Sequence, residues 1–189
     1  LVREHTKIGE IKNPTEIYEI NENTLKIIEK SKISEIEKIF NILRGIENTI
    51  KTKGEEEPYL ISIAEKAESI MQMFKERQKT TKETLDELKK IIMEFNTAQK
   101  ERAEKGMNPE IFLVYWIFKQ NGFKEPERMA EEMEKIFEKF PHWKSSEKQE
   151  KEIRTELYGI ILRYGFENLD EANKIVEDIL KKLKIERVL

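Results

Sequence analysis

The segment TTKETLDELKKIIMEF, residues 80–95, indicates most directly which fold this chain adopts. It opens with Thr80 and Glu83 at the spacing of a capping box, in which each side chain accepts a hydrogen bond from the backbone N–H of the other residue. Apolar residues then recur at helical spacing: Leu85, Leu88, Ile91, Ile92 and Phe95. This spacing puts them on one face of a helix. The segment therefore predicts a long amphipathic helix with one buried face.

The same combination of start signal and apolar stripe recurs along the chain in both directions. Four further stripes follow residues that favour a helix N-cap: Ser34, Asn108, Ser146 and Asn168. No alternating strand pattern persists beyond the first residues of the chain. We therefore predict an all-α protein, an irregular bundle of about seven to eight antiparallel helices joined by short connections.

Changes of pattern along the chain predict three parts. Residues 1–20 show no clean period, so we expect an irregular lead-in. The chain starts with Leu1 rather than Met, and we expect the lead-in to join a missing upstream domain. A boundary near Gly106 then separates a helical subdomain over 21–106 from a C-terminal helical subdomain over 107–189.

Three local features predict how particular helices pack. Residues 96–105 are almost entirely polar, which is typical of a helix that runs through solvent. Gly159 lies inside a predicted helix, where glycine is unfavourable, so we expect a close helix contact there. Ala64 and Ala67 are small residues on an apolar stripe and would let a neighbouring helix approach closely.

Charge balance argues against a dedicated nucleic-acid-binding module. The 189 residues include 35 Lys and Arg against 38 Asp and Glu, a formal net charge of -3, whereas such modules usually carry a basic excess. Two groups of basic residues keep a local DNA-binding face open as an alternative: Lys119, Lys124 and Arg128, or Lys144, Lys148, Lys151 and Arg154. Glutamates interrupt both groups, which is more typical of an ordinary soluble surface.

The residue types that are absent exclude several kinds of chemistry. The chain has no Cys, so it has no disulfide, thiolate metal site or Cys nucleophile, and a cytoplasmic location is expected. No apolar run approaches the ~18 residues of a transmembrane helix. Abundant Glu, Lys and Ile are typical of hyperthermophile proteins, but an AT-rich genome gives a similar bias, so both origins stay open.

Sequence motifs for catalysis are also missing. The two histidines, His5 and His142, are far apart, and a zinc site needs several nitrogen or sulfur ligands. Neither a Gly-x-x-x-x-Gly-Lys loop nor a Gly-x-Gly-x-x-Gly turn occurs. The many paired carboxylates are expected on solvated helix faces. We therefore predict no catalytic residue, no metal site and no bound cofactor in this chain.

Aromatic residues in the second half of the chain have two interpretations. Four of them form the candidate docking site for a partner: Phe112, Tyr115, Trp116 and Trp143. Trp and Tyr are enriched in binding hot spots, and the helix over 110–120 is apolar on nearly all sides. The alternative is that they form the core of the second half. A buried helix has the same pattern in both cases.

A family resemblance rests mainly on seven residues: Glu57, Pro58, Tyr59, Leu60, Glu65, Arg77 and Gln78. In order and spacing they resemble the helical C-terminal region of the R subunit, the motor and nuclease subunit, of type I restriction enzymes. A later block from His142-Trp143 to Tyr164-Gly165 is similar to the final helices of that family, with His142 in place of an acidic residue.

The resemblance implies a non-catalytic module of a larger enzyme, an ATP-dependent type I site-specific deoxyribonuclease. ATP and Mg would bind in the missing motor and nuclease domains. The partners of this module would be the methyltransferase and specificity subunits, with which it mediates assembly, and duplex DNA would be at most a weak partner. Two alternatives stay open: a helical module that contacts duplex DNA during ATP-driven translocation, and a helical scaffold unrelated to restriction.

Overall fold

The computed structural model describes residues 20–54, 56–165 and 168–184. Within these residues it contains helices and no strand, which confirms the all-α prediction. The helices are α1 (Thr24–Lys30), α2 (Glu35–Lys53), α3 (Tyr59–Lys75), α4 (Thr81–Lys105), α5 (Pro109–Gln120), α6 (Pro126–Lys139), α7 (Glu147–Arg163) and α8 (Leu169–Leu183). The lead-in predicted over 1–20 lies outside the described residues except for Ile20, which is buried.

Local hydrogen bonds at the helix starts explain why the boundaries were predictable. The capping box at Thr80 forms, with the backbone N–H of Thr80 donating to the Glu83 carboxylate over 2.8 Å, and Ser34 and Glu37 form a second capping box at the start of α2. The Asn108 side chain accepts from the N–H of Ile111 at 2.9 Å, just before α5. Each bond satisfies an N–H that has no partner within its own helix.

The helices pack mainly on their neighbours in the chain. Helices α2, α3 and α4 contact one another, and α1 packs on α4. Helices α5 to α8 pack in succession, and α8 returns to α5. Contacts between α3 and α5 connect these two groups, so one continuous cluster of buried apolar residues runs through both. The change of packing partners falls near Gly106, but independent folding of 21–106 and 107–189 stays a prediction.

The second half of α4 is partly buried, so the expectation of a solvent-exposed 96–105 segment is wrong for one of its faces. Ala98 is fully buried, and the Arg102 guanidinium lies over the Phe112 ring at 6.0 Å from its centroid. A long side chain covers apolar surface with its stem while its charged end reaches outward. Polar composition alone therefore concealed a helix face that packs on α5.

Gly159 does not mark a close helix contact. A Cβ atom built there would meet one neighbouring side chain, with Arg163 Nη1 at 3.5 Å, which is an ordinary van der Waals distance. The expectation of a close helix contact is wrong because, within the described residues, no backbone of a second helix approaches Gly159; only the Arg163 side chain lies nearby.

Candidate functional site

The aromatic residues of α5 belong to the core and do not form a docking surface. Phe112 is 0% exposed, Trp116 1%, Tyr115 3% and Trp143 3%. Helices α3, α6 and α8 all pack on α5, so its apolar sides are enclosed. The Tyr59 ring meets the Phe112 ring edge-on with centroids 4.9 Å apart. The docking assignment for these four aromatics is therefore wrong, and the core interpretation accounts for them.

The motif residues 57–60 build the start of α3. Pro58 takes the N-cap position, and Tyr59 and Leu60 are buried in the first turn. The Tyr59 hydroxyl donates a hydrogen bond to the Glu57 carboxylate. Burial and this bond to Glu57 raise the pKa of Tyr59, so the phenol stays protonated and acts as a donor. These contacts give the stretch a structural role.

Arg77 and Gln78 form the end of α3. The N–H of Gln78 donates to the Met73 carbonyl at 2.8 Å, and the N–H of Arg77 donates to the Phe74 carbonyl at 3.0 Å. This is the Schellman arrangement, in which the residue after the C-cap has a left-handed backbone. Arg77 occupies that position with a φ of 60°. A side chain there costs roughly 1 kcal/mol compared with glycine.

Glu65 is the motif residue that connects distant parts of the chain. Its carboxylate lies 3.3 Å from Lys181 Nζ and 2.8 Å from Lys182 Nζ, so it ties α3 to α8. Lys182 is 3% exposed and also binds Asp178. Burial acts to raise the pKa of Glu65, but the hydrogen bonds and charges of Lys182 and Lys181 outweigh it and hold that pKa below its ordinary value.

A surface groove between α2 and α3, called the α2/α3 groove, has a volume of about 340 Å³. Apolar residues form most of its walls: Leu43, Ile46, Ile50, Ile61, Ala64 and Ala67. Charged residues at its rim are Glu47, Lys51 and Glu68, all exposed, in addition to Glu65. Within the described residues Glu47, Lys51 and Glu68 belong to no ion pair. Ala64 and Ala67, which the sequence predicts to allow the close approach of a neighbouring helix, are among the residues that line this groove.

A second cavity, the α3/α5/α8 cleft, has a volume of about 430 Å³. Its lining is more polar than that of the groove and consists of Ser62, Glu65, Lys66, Trp116, Ile117, Gln120, Asn121, Asp178 and Lys182. Sequence reasoning did not identify this cleft, because its walls come from three helices that are far apart in the chain.

Four of the seven basic residues in the two candidate DNA-binding groups form ion pairs with carboxylates. Lys119 binds Glu101, and Lys144 binds Glu110. Arg154 contacts Glu150 at 3.5 Å and also binds Glu177. Such pairing lowers the positive potential that a phosphate backbone requires. Lys124, Lys148 and Lys151 are exposed and belong to no ion pair within the described residues, so the DNA alternative stays a prediction.

The described residues contain no group of three or more His, Asp or Glu side chains placed to hold a metal ion. His142 is exposed, and its backbone N–H donates to Gln149 Oε1 at 2.8 Å, while His5 lies outside the described part of the chain. None of the helices in that part combines the length and apolar character needed to cross a bilayer.

Comparison with known proteins identifies no relative: no family model, no curated protein and no solved structure matches this chain.

Proposed function

We propose that this chain is a non-catalytic helical assembly module of a type I restriction R subunit, and that it docks the methyltransferase and specificity subunits through the α2/α3 groove. The observation that carries the proposal is this groove, an apolar recess on the surface of an otherwise well-packed helical core. The link to restriction enzymes rests on the resemblance of the seven-residue motif from Glu57 to Gln78, which brackets α3, one wall of the groove.

The shape and polarity of the groove fit a helix of a partner. Amphipathic helices commonly bind by placing one apolar face into a groove between helices. The floor offers Ile46, Ala64 and Ala67, and the small alanines leave room for a partner side chain. Two carboxylates at the rim, Glu47 and Glu68, and one ammonium, Lys51, belong to no ion pair in the described part of the chain, so negative charge exceeds positive charge there. The partner we expect is therefore an amphipathic helix with Lys or Arg beside its apolar face.

The proposal is tested with a double charge reversal at the rim. In Glu47→Lys with Glu68→Lys, both side chains are exposed and belong to no ion pair, so the fold should be unchanged. Attraction becomes repulsion at the rim, and we expect capture by the purified methyltransferase–specificity complex to weaken about tenfold or more. Affinity is measured by calorimetry or surface plasmon resonance, and circular dichroism checks helicity.

The matched control is Glu131→Lys with Glu152→Lys, which changes net charge equally on α6 and α7, where both residues are exposed. This variant should bind like the wild type. Equal weakening of both double variants would show that net charge alone matters and would remove the groove from the proposal. Absence of wild-type binding to the complex would overturn the restriction assignment, and salt-sensitive duplex binding would then favour the DNA alternative.

A further inference from the structure

Two buried polar atoms at the α3/α5/α8 cleft have no hydrogen-bond partner in the described part of the chain. They are the Ser62 hydroxyl oxygen and the Trp116 indole nitrogen Nε1. Buried polar atoms are nearly always hydrogen-bonded in folded proteins. The indole N–H can only donate, and the hydroxyl can donate as well as accept. The cleft therefore offers donors to a group that carries an acceptor oxygen.

The charges in the cleft wall are already balanced. Lys182 is held between Glu65 and Asp178, and Lys66 is bound to Glu94. A charged ligand would have to lose water without gaining a free counter-charge, which is unfavourable. A neutral ligand does not meet this penalty.

Other residues of the cleft define the remaining features of the ligand. Ile117 supplies apolar wall, and the Gln120 and Asn121 side chains carry amides near the end of α5. The Lys66 ammonium donates to Gln120 Oε1 at 3.0 Å in an exposed contact. Both side chains are long and this contact is exposed, so they can move aside when a ligand enters the cleft. The volume of about 430 Å³ lies within the range of small-molecule sites.

We propose that the α3/α5/α8 cleft binds a small neutral molecule in which an amide carbonyl adjoins an apolar group. The carbonyl oxygen accepts from the Trp116 N–H and the Ser62 hydroxyl. The apolar group lies against Ile117, and the amide N–H₂ donates to the side-chain oxygen of Asn121. This site is separate from the α2/α3 groove, although Glu65 lies at the edge of both.

The test uses the indole N–H signals of the full chain in ¹H–¹⁵N correlation spectra. The chain has two tryptophans, and Trp143→Phe assigns the remaining signal to Trp116. Benzamide is the probe. We expect it to shift the Trp116 indole signal downfield and saturably, because a new acceptor lengthens the N–H bond. Benzoate and benzylamine, which have the same size but carry a charge, should bind about tenfold more weakly or not at all.

Ser62→Ala removes the hydroxyl at nearly constant volume and should weaken benzamide binding several-fold. Ser69→Ala is the matched control on the exposed face of the same helix, and the affinity of this variant for benzamide should equal that of the wild type. The proposal is overturned if the Trp116 signal does not move at millimolar benzamide. Magnetisation transfer from water to that signal would then show that water is the hydrogen-bond partner of the indole N–H. It is equally overturned if benzoate or benzylamine binds as well as benzamide, or if Ser62→Ala changes nothing.

Discussion

At the scale of single residues, two glycines serve different purposes. Gly106 ends α4 with a φ of 61°, a left-handed conformation that glycine adopts without the penalty of a side chain. Gly159 lies inside α7 with helical neighbours on both sides and space for a methyl group. The left-handed backbone at position 106 favours glycine, whereas glycine at position 159 only adds conformational freedom to the unfolded chain.

We predict that Gly159→Ala stabilises the protein. Alanine is favoured over glycine in a helix interior by about 0.5–1 kcal/mol, and the new methyl group meets no backbone atom. The free energy of unfolding, measured with urea at neutral pH, should rise by that amount. Gly106→Ala is the opposite control and should lower the free energy of unfolding, because its φ disfavours a side chain. A destabilised Gly159→Ala protein would contradict the description of α7.

At the scale of helices, the ion pairs between α3 and α8 connect the two groups of helices. Lys182 is almost fully buried between Glu65 and Asp178, so removing Glu65 would leave this buried charge with only one of its two counter-charges. Glu65 is therefore more important for stability than an exposed glutamate on the same helix. The low pKa of Glu65 makes this contribution dependent on pH.

We predict that Glu65→Gln lowers the free energy of unfolding by about 1 kcal/mol at pH 7. The folded-state pKa of Glu65 lies below its ordinary value of 4.5, so its contribution is present above that value and is lost as pH falls through the lower folded-state pKa. The difference between wild type and variant should therefore shrink on acidification. Urea unfolding at a series of pH values measures it. Glu68→Gln, which removes an exposed carboxylate without an ion pair among the described residues, is the control and should change the free energy of unfolding at pH 7 much less than Glu65→Gln does.

At the scale of the whole molecule, the parts of the fold that depend on residues close together in the sequence were predictable. The capping boxes at Ser34 and Thr80 and the N-cap at Asn108 involve residues three positions apart. Both partners of each hydrogen bond can therefore be recognised within four consecutive residues of sequence. Apolar spacing then identified the buried face of α4, where Leu85, Leu88, Ile91, Ile92 and Phe95 are all buried. The fold class followed from these local features.

The candidate sites could not be predicted in the same way. Glu65 and Lys181 are 116 residues apart, and nothing in the spacing of either indicates the other. The burial of Trp116 depends on three helices that surround α5, and a docking helix would have the same apolar pattern. Ala64 and Ala67 indicated a close approach of helices, but only the structure shows that the space beside them is a groove.

The succession of helix contacts described above has a consequence for how the chain folds. Most helices contact partners that are close in the sequence, which corresponds to a low contact order, and such proteins fold in microseconds to milliseconds. Stopped-flow refolding should therefore be complete within about a second, and a dominant slower phase would contradict this. During synthesis, helices α1 to α4 can bury their apolar faces against one another while α5 to α8 are still on the ribosome. The part of the apolar cluster that α3 shares with α5 stays exposed until α5 emerges, so the nascent chain is most prone to aggregation in the interval between α4 and α5.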